Sequence, residues 1–294
     1  MLKKGSSLRP NHAATLYELG RYYTDKENYS EALNLFLKAY GISKDSVKYQ
    51  MGVALAYFNL KEFDKSIKIY ESILSIDKTK SEVYYNLSMA RMEIGQYDQA
   101  LTDISLAIKL KPNSPTYIYT IGQISEALGR DDNAISYYLA AVKLDNNYYK
   151  PMLNLGNIYD RFGRYEDGLK ILQLAYKIKP DDPDVRFSLG TSYLHNKMYN
   201  DSLKLLEESY NNDKNSTLKL YNLSLAYTEV GNSEAAEKGF KKVLEMDSNF
   251  YDAYYYLGQL LFTLDRQEEA RTYLKQVLEL NPEYKYKDKI KEVL

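Results

Sequence analysis

The chain has 294 residues, 45% of them hydrophobic and 27% charged, with a formal net charge of -1. That balance belongs to a folded chain and supplies no field to gather nucleic acid or an anionic membrane surface. Cysteine is absent, which removes disulfides and thiolate metal sites, and tyrosine, at 32 residues against no tryptophan, is the compositional outlier.

Residues 1–12 carry no hydrophobic period and are expected to form a flexible N-terminal segment. They contain no apolar core of leader length, and no later run approaches a membrane span. The expectation is therefore a cytoplasmic chain with no direct membrane insertion. An exported or periplasmic protein stripped of its leader would read the same way.

From residue 13 onward a small residue recurs every 34 positions: Gly20, Ala54, Ser88, Gly122, Gly156, Gly190, Ser224 and Gly258. An aliphatic residue precedes each. A second small series follows twelve positions later, from Ala32 and Ser66 to Ala236 and Ala270. Eight units result, at 13–46, 47–80, 81–114, 115–148, 149–182, 183–216, 217–250 and 251–284. Strict self-similarity of this kind predicts stacked helix pairs.

Repeats 1 and 2 place Tyr23 and Tyr57 three residues after the small position, and Phe36 and Tyr70 in the second helix. Repeat 3 has Arg91 and repeat 4 has Ser125 in place of that first tyrosine. Repeat 5 is the most regular. Met152, Leu155, Gly156 and Tyr159 form one face of a first helix, and Gly163 suits its C-terminal cap. Leu169, Leu172, Ala175, Tyr176 and Ile178 then face inward from a second helix, which Pro180 ends. Asp181, Asp182 and Asp184 lie where Pro183 opens the next helix, a place that favours carboxylates. Between repeats 6 and 7, the segment Asn211 to Ser216 lacks the apolar residue that Ile178 supplies one unit earlier, predicting the softest joint. Residues 285–294 space Tyr286, Ile290, Val293 and Leu294 as a capping helix over the last repeat.

Burying about six large side chains per unit yields roughly 10–15 kcal/mol. Ordering the 34 residues of a unit costs more, at about 1–2 kcal/mol per residue. Stability must come from stacking.

Small residues at unit positions 8, 20 and 27, aliphatics at 7, aromatics at 11 and Pro112, Pro180 and Pro282 at 32 resemble the tetratricopeptide repeat. The resemblance spans all eight units and implies an all-α fold, a right-handed superhelical solenoid. It further implies that first helices line a concave groove, with positions 2, 5, 6, 9, 12 and 13 toward a ligand. Position 5 is an apolar stripe: Tyr17, Met51, Tyr85, Tyr119, Leu153, Phe187, Tyr221 and Tyr255. Position 6 carries Asn86, Asn154 and Asn222, with Asn157 at position 9. An amide both donates and accepts, so such a ladder matches a peptide backbone.

The residues expected to line a peptide-binding groove are thus Tyr17, Tyr85, Asn86, Tyr119, Asn154, Asn157, Phe187, Tyr221, Asn222 and Tyr255. The implied partner is an extended or helical segment of another protein. No lysine occupies position 5, so the family's clamp for a C-terminal carboxylate is not recognisable. Acidic residues at inward positions, among them Glu82, Asp160, Asp184 and Asp252, oppose nucleic acid. His12 and His195 have no partner at metal-ligand spacing, and every glycine is explained by the repeat phase. No catalytic residue, metal or cofactor is therefore expected, and the chain is read as a non-enzymatic scaffold, a monomer or weak oligomer. Two other readings fit the same residues: the repeat arm of a larger enzyme, such as a glycosyltransferase, or a self-assembling structural component.

Overall fold

The computed structural model of the protein describes residues 12–294. Apart from His12, the expected flexible segment lies outside the described residues. Among the described residues there are seventeen helices and no strand. The chain divides at Asn146 into two compact units.

The first unit contains four helix pairs: α1 (Ala13–Asp25) with α2 (Tyr29–Ile42), α3 (Val47–Asn59) with α4 (Phe63–Ile76), α5 (Ser81–Glu93) with α6 (Tyr97–Leu110), and α7 (Pro115–Ala127) with α8 (Asp131–Leu144). The second contains α9 (Tyr149–Arg161) with α10 (Tyr165–Ile178), α11 (Pro183–His195) with α12 (Tyr199–Asn212), α13 (Thr217–Glu229) with α14 (Ser233–Met246), and α15 (Tyr251–Thr263) with α16 (Gln267–Leu280). A short final helix, α17 (Lys287–Val293), follows. Each unit is an all-α stack of tandem helix pairs, one pair per 34-residue repeat.

Helix ends follow the local chemistry. Asp182 accepts hydrogen bonds from the backbone amides of Asp184 and Val185 and so caps α11, where Pro183 takes the first turn. Between the two helices of every repeat, the residue at position 15 adopts a left-handed backbone. Gly163 does so at φ 71° without a steric penalty, whereas Glu27, Lys61, Lys197 and Asp265 do so with side chains attached.

Close approach explains the small residues. A Cβ on Gly156 would overlap Leu172 Cγ and lie 2.7 Å from its Cδ2. Leu172 is fully buried against Leu189 and Leu205 of the next repeat. A side chain on Gly168 would meet both Asp160 and the Gly156 carbonyl oxygen.

Position 11 also ties neighbouring repeats together by a recurrent polar contact. The Tyr227 hydroxyl donates to Glu207 at 2.7 Å, Gln173 donates to the Tyr193 hydroxyl at 3.4 Å, and Arg91 donates to Glu71 at 2.6 Å. In each case the partners are twenty residues apart. Arg91 thus keeps the function of the tyrosine it replaces, and its other terminal nitrogen reaches the buried Asp103 at 2.5 Å. Burial pushes the Asp103 carboxyl up to about 6, with the Arg91 charge pulling in the opposite direction.

At the joint between repeats 6 and 7, Asn212 stands where other repeats have Ile42, Ile76, Leu110 and Leu144, which are exposed, and Ile178, which is half-buried. The buried Ser209 hydroxyl there has no hydrogen-bond partner among the described residues.

At the end of the second unit, α17 lies on the last repeat. Ile290 is buried in a cluster with Tyr255, Leu274, Val277 and Tyr284, and Val293 packs beside it. Tyr286 joins them, whereas Leu294 is 39% exposed.

Candidate functional site

In the first unit the expected ligand face opens into two adjoining cavities on α1, α3 and α5. The larger, about 280 Å³, is lined by Tyr17, Arg21, Met51, Leu55, Glu82 and Asn86 among others. The smaller, about 180 Å³, is lined by Leu55, Phe58, Tyr70, Tyr85, Asn86 and Met89. Leu55 and Asn86 belong to both, so the cavities form one trough across repeats 1–3.

The walls are fixed from behind. The Tyr17 ring lies 5.2 Å from Phe36 and 5.6 Å from Tyr49, with Lys48 Nζ 4.4 Å above it. Burial holds its hydroxyl neutral well into the alkaline range. Gly52 interrupts the asparagine series for a packing reason: a Cβ there would stand 2.8 Å from the Tyr17 ring and 2.9 Å from Phe36. Tyr85 stacks on Tyr117 at 5.1 Å, and burial raises its pKa too.

Two groups in this trough are not taken up by packing or pairing among the described residues. Leu55 is 41% exposed, a large apolar side chain facing water from a first helix. Asn86, half-buried between the cavities, makes no side-chain hydrogen bond among the described residues. An amide held there presents a donor and an acceptor where the two cavities meet. Arg21, Asp25 and Glu82 surround the larger cavity, and Glu18 pairs with both Arg21 and Lys48.

The remaining expected residues divide differently. Tyr119 is buried, with its ring 5.7 Å from Tyr138. In the second unit, Phe187 packs among Leu194, Leu206 and Leu223. Tyr221 is enclosed by Phe250, Tyr256 and Phe240, and burial raises its pKa strongly. Tyr255 is 4% exposed beneath the C-terminal segment, stacked 4.9 Å from Tyr286. Asn222 is buried and donates to the Leu218 carbonyl of its own helix at 3.0 Å. Asn154 is half-buried, and Asn157 is exposed. Tyr119, Asn222 and Tyr255 are thus buried, Asn222 with its amide bonded to its own helix.

Leu55 and Met89 were not singled out from sequence, although both occupy position 9, one of the positions expected to face inward. The signal was present, but aliphatic residues at that position look like core.

Among the described residues no group of histidines and carboxylates is arranged to hold a metal, and no helix is long and apolar enough to cross a membrane.

Two family models described as tetratricopeptide repeat match the chain, one at residues 17–80 and 221–285, the other at 81–114, 115–148 and 149–182. No curated protein matches. Among solved structures, the Cut9–Hcn1 hetero-tetramer of the APC/C is similar at a TM-score of 0.70 and 17% identity, over 90% of this chain and 52% of that one. This chain thus spans about half the length of that relative. PilF of Pseudomonas aeruginosa is similar at a TM-score of 0.60 and 16% identity, over 74% of this chain and 98% of its own. YrrB, described as having an unusual peptide-binding site, is similar at 0.53 and 18%, over 64% of this chain and 97% of its own. At these identities the likeness is one of fold. With the family models covering most of the chain, the chain belongs to the tetratricopeptide-repeat family, a family of generally non-catalytic protein-interaction scaffolds.

Proposed function

We propose that the chain is a protein-interaction scaffold whose trough on α1, α3 and α5 holds an extended segment of a partner protein. The observation that carries this reading is the Asn86 amide, unpartnered among the described residues and set between a charged-rimmed cavity and a smaller apolar one that share Leu55. An apolar side chain of the partner fills one cavity while its backbone bonds Asn86. Releasing water from Leu55, Met89 and the Tyr85 ring drives association, and the single amide fixes register. Tyr17 and Tyr85 act as rigid walls, because their rings are already held by neighbours and lose little freedom on binding. In the second unit Asn157 and the half-buried Asn154 and Phe187 are the proposed ligand-facing residues, while Tyr119, Tyr221, Asn222 and Tyr255 serve the fold beneath the groove.

The test uses Leu55→Glu combined with Asn86→Ala in the full chain. Leu55 is exposed, so its substitution changes stability by no more than about 0.5 kcal/mol. Proteins captured from an extract of the source cells by wild type should be lost from the variant while the thermal melt stays in place. Retention of the same proteins by the folded variant would contradict the assignment.

A further inference from the structure

A third cavity, about 480 Å³, is lined by α12, α13 and α14 of repeats 6 and 7 in the second unit. One residue of its lining, Gly239, departs from the other repeats. At position 23 the other repeats carry Leu35, Ile69, Asp103, Tyr137, Ile171, Leu205 and Tyr273, whereas repeat 7 carries Gly239. In repeat 1, Leu35 packs with Leu19 and Tyr23, and in repeat 6, Leu205 packs with Leu189 and Tyr193. The matching residues of repeat 7 are Leu223 and Tyr227, and with Tyr210 and Leu220 they wall the cavity instead.

The rim of this cavity is basic. Lys238 and Lys242 stand one turn apart on α14, both exposed, and neither forms an ion pair among the described residues. Glu207, the acidic residue of the lining, already accepts the Tyr227 hydroxyl at 2.7 Å. A slot walled by Tyr210, Leu220, Leu223 and Tyr227 thus lies beside two lysines that outnumber the one carboxylate of its lining.

We infer that this cavity is a second docking site, taking a phenylalanine or leucine side chain of a partner protein that is flanked by aspartate or glutamate. The apolar walls supply the place that a leucine of this chain fills in repeats 1 and 6. The lysines select the occupant, since a segment with carboxylates on both sides of its apolar residue meets opposite charge at the rim, and a basic segment meets like charge. The site is independent of the proposed trough and would stand if that trough bound nothing.

The test uses the full chain and a fluorescein-labelled peptide of sequence SEDEFEDES, with SEDEAEDES and SKKKFKKKS as controls. Anisotropy should show saturable binding of the first peptide and at least about ten-fold weaker binding of both controls. Methyl resonances of Leu220, Leu223 and Ala235 should shift, while those of Leu55 and Met89 should not. Lys238→Glu with Lys242→Glu should weaken binding about ten-fold and leave the helical circular dichroism unchanged. Filling the cavity should abolish binding. Because a Cβ at 239 would overlap the Ser224 hydroxyl, Gly239→Leu is paired with Ser224→Gly, which recreates the Gly20–Leu35 and Gly190–Leu205 combinations. Absence of binding up to about 1 mM, shifts confined to Leu55 and Met89, or binding untouched by both the charge and the filling variants would each overturn the proposal.

Discussion

Replacing Gly156 by alanine tests the packing logic of the repeat most sharply. The added methyl would overlap Leu172 Cγ and stand 2.7 Å from Cδ2 and 3.0 Å from Cδ1. Leu172 cannot retreat, because it is fully buried against Leu189 and Leu205. Overpacking of this kind costs about 1–3 kcal/mol. Alanine returns about 0.8–1 kcal/mol of helix propensity. The net cost should be about 0–2 kcal/mol, and Leu172→Ala alone should cost about 2–5 kcal/mol by leaving a cavity. In the double variant the methyl enters space that Leu172 has vacated, so the two losses should fall short of their sum by about 1 kcal/mol or more. Repeat arrays do not unfold in one step, so amide hydrogen exchange in α9 and α10 is the appropriate readout. Gly156→Ala should speed exchange there by up to roughly 30-fold. Gly41→Ala serves as the control, because nothing lies within 4 Å of a Cβ at that position, and it should leave exchange unchanged or slower. Additive losses, or exchange in α9 and α10 slowed by Gly156→Ala, would refute close approach as the reason for the glycine.

Asp103 carries a raised pKa of about 6 when folded, against 3.8 for the free group. The folded state therefore binds the proton more tightly, and the cost of the charged form, present at neutral pH, is relieved as pH falls from 6 toward 3.8. Relative to Asp103→Asn, wild type should gain up to about 3 kcal/mol across that window in denaturant titrations, and parallel pH profiles would contradict this. Arg91→Ala should cost about 3–5 kcal/mol by stranding the buried carboxylate, and Arg91→Tyr with Asp103→Leu should recover most of it, read as exchange protection in α5 and α6. Lys197 holds a left-handed backbone at φ 60°, so Lys197→Gly should slow exchange in α11 and α12 by removing about 1 kcal/mol of strain, whereas faster exchange there would count against it.

The repeat period made the fold legible because packing constraints act on single positions. Gly156 and Leu172 are readable from sequence since the small residue and its large neighbour recur together. The turn at Gly163 is readable for the same reason, although Lys197 and Asp265 show that the conformation persists without glycine. The ligand face was less legible, because a tyrosine at position 5 has the same letter whether its ring walls a trough or fills a core. Tyr17 borders a cavity, whereas Tyr119 is covered by Tyr138 and Tyr255 by Tyr286. What decides between them is which side chains pack around the ring, which a single position does not reveal. Asn86 and Asn222 make the same point: one amide, between cavities, is unpartnered among the described residues and the other bonds its own helix. The 480 Å³ cavity was hidden because Gly239 reads as one more small residue until Leu35 and Leu205 are seen filling the equivalent space.

The central claim is that the α1, α3 and α5 trough receives a partner's polypeptide. A photo-crosslinking amino acid placed at position 55 tests it directly, with position 174 as the reference because Leu174, on a second helix, is 51% exposed against 41% for Leu55. Irradiation in the source cells should give a discrete protein adduct from position 55 that disappears when Asn86→Ala is added, and none of that species from position 174. Equal adducts from both positions, or an adduct from position 174 alone, would contradict the account.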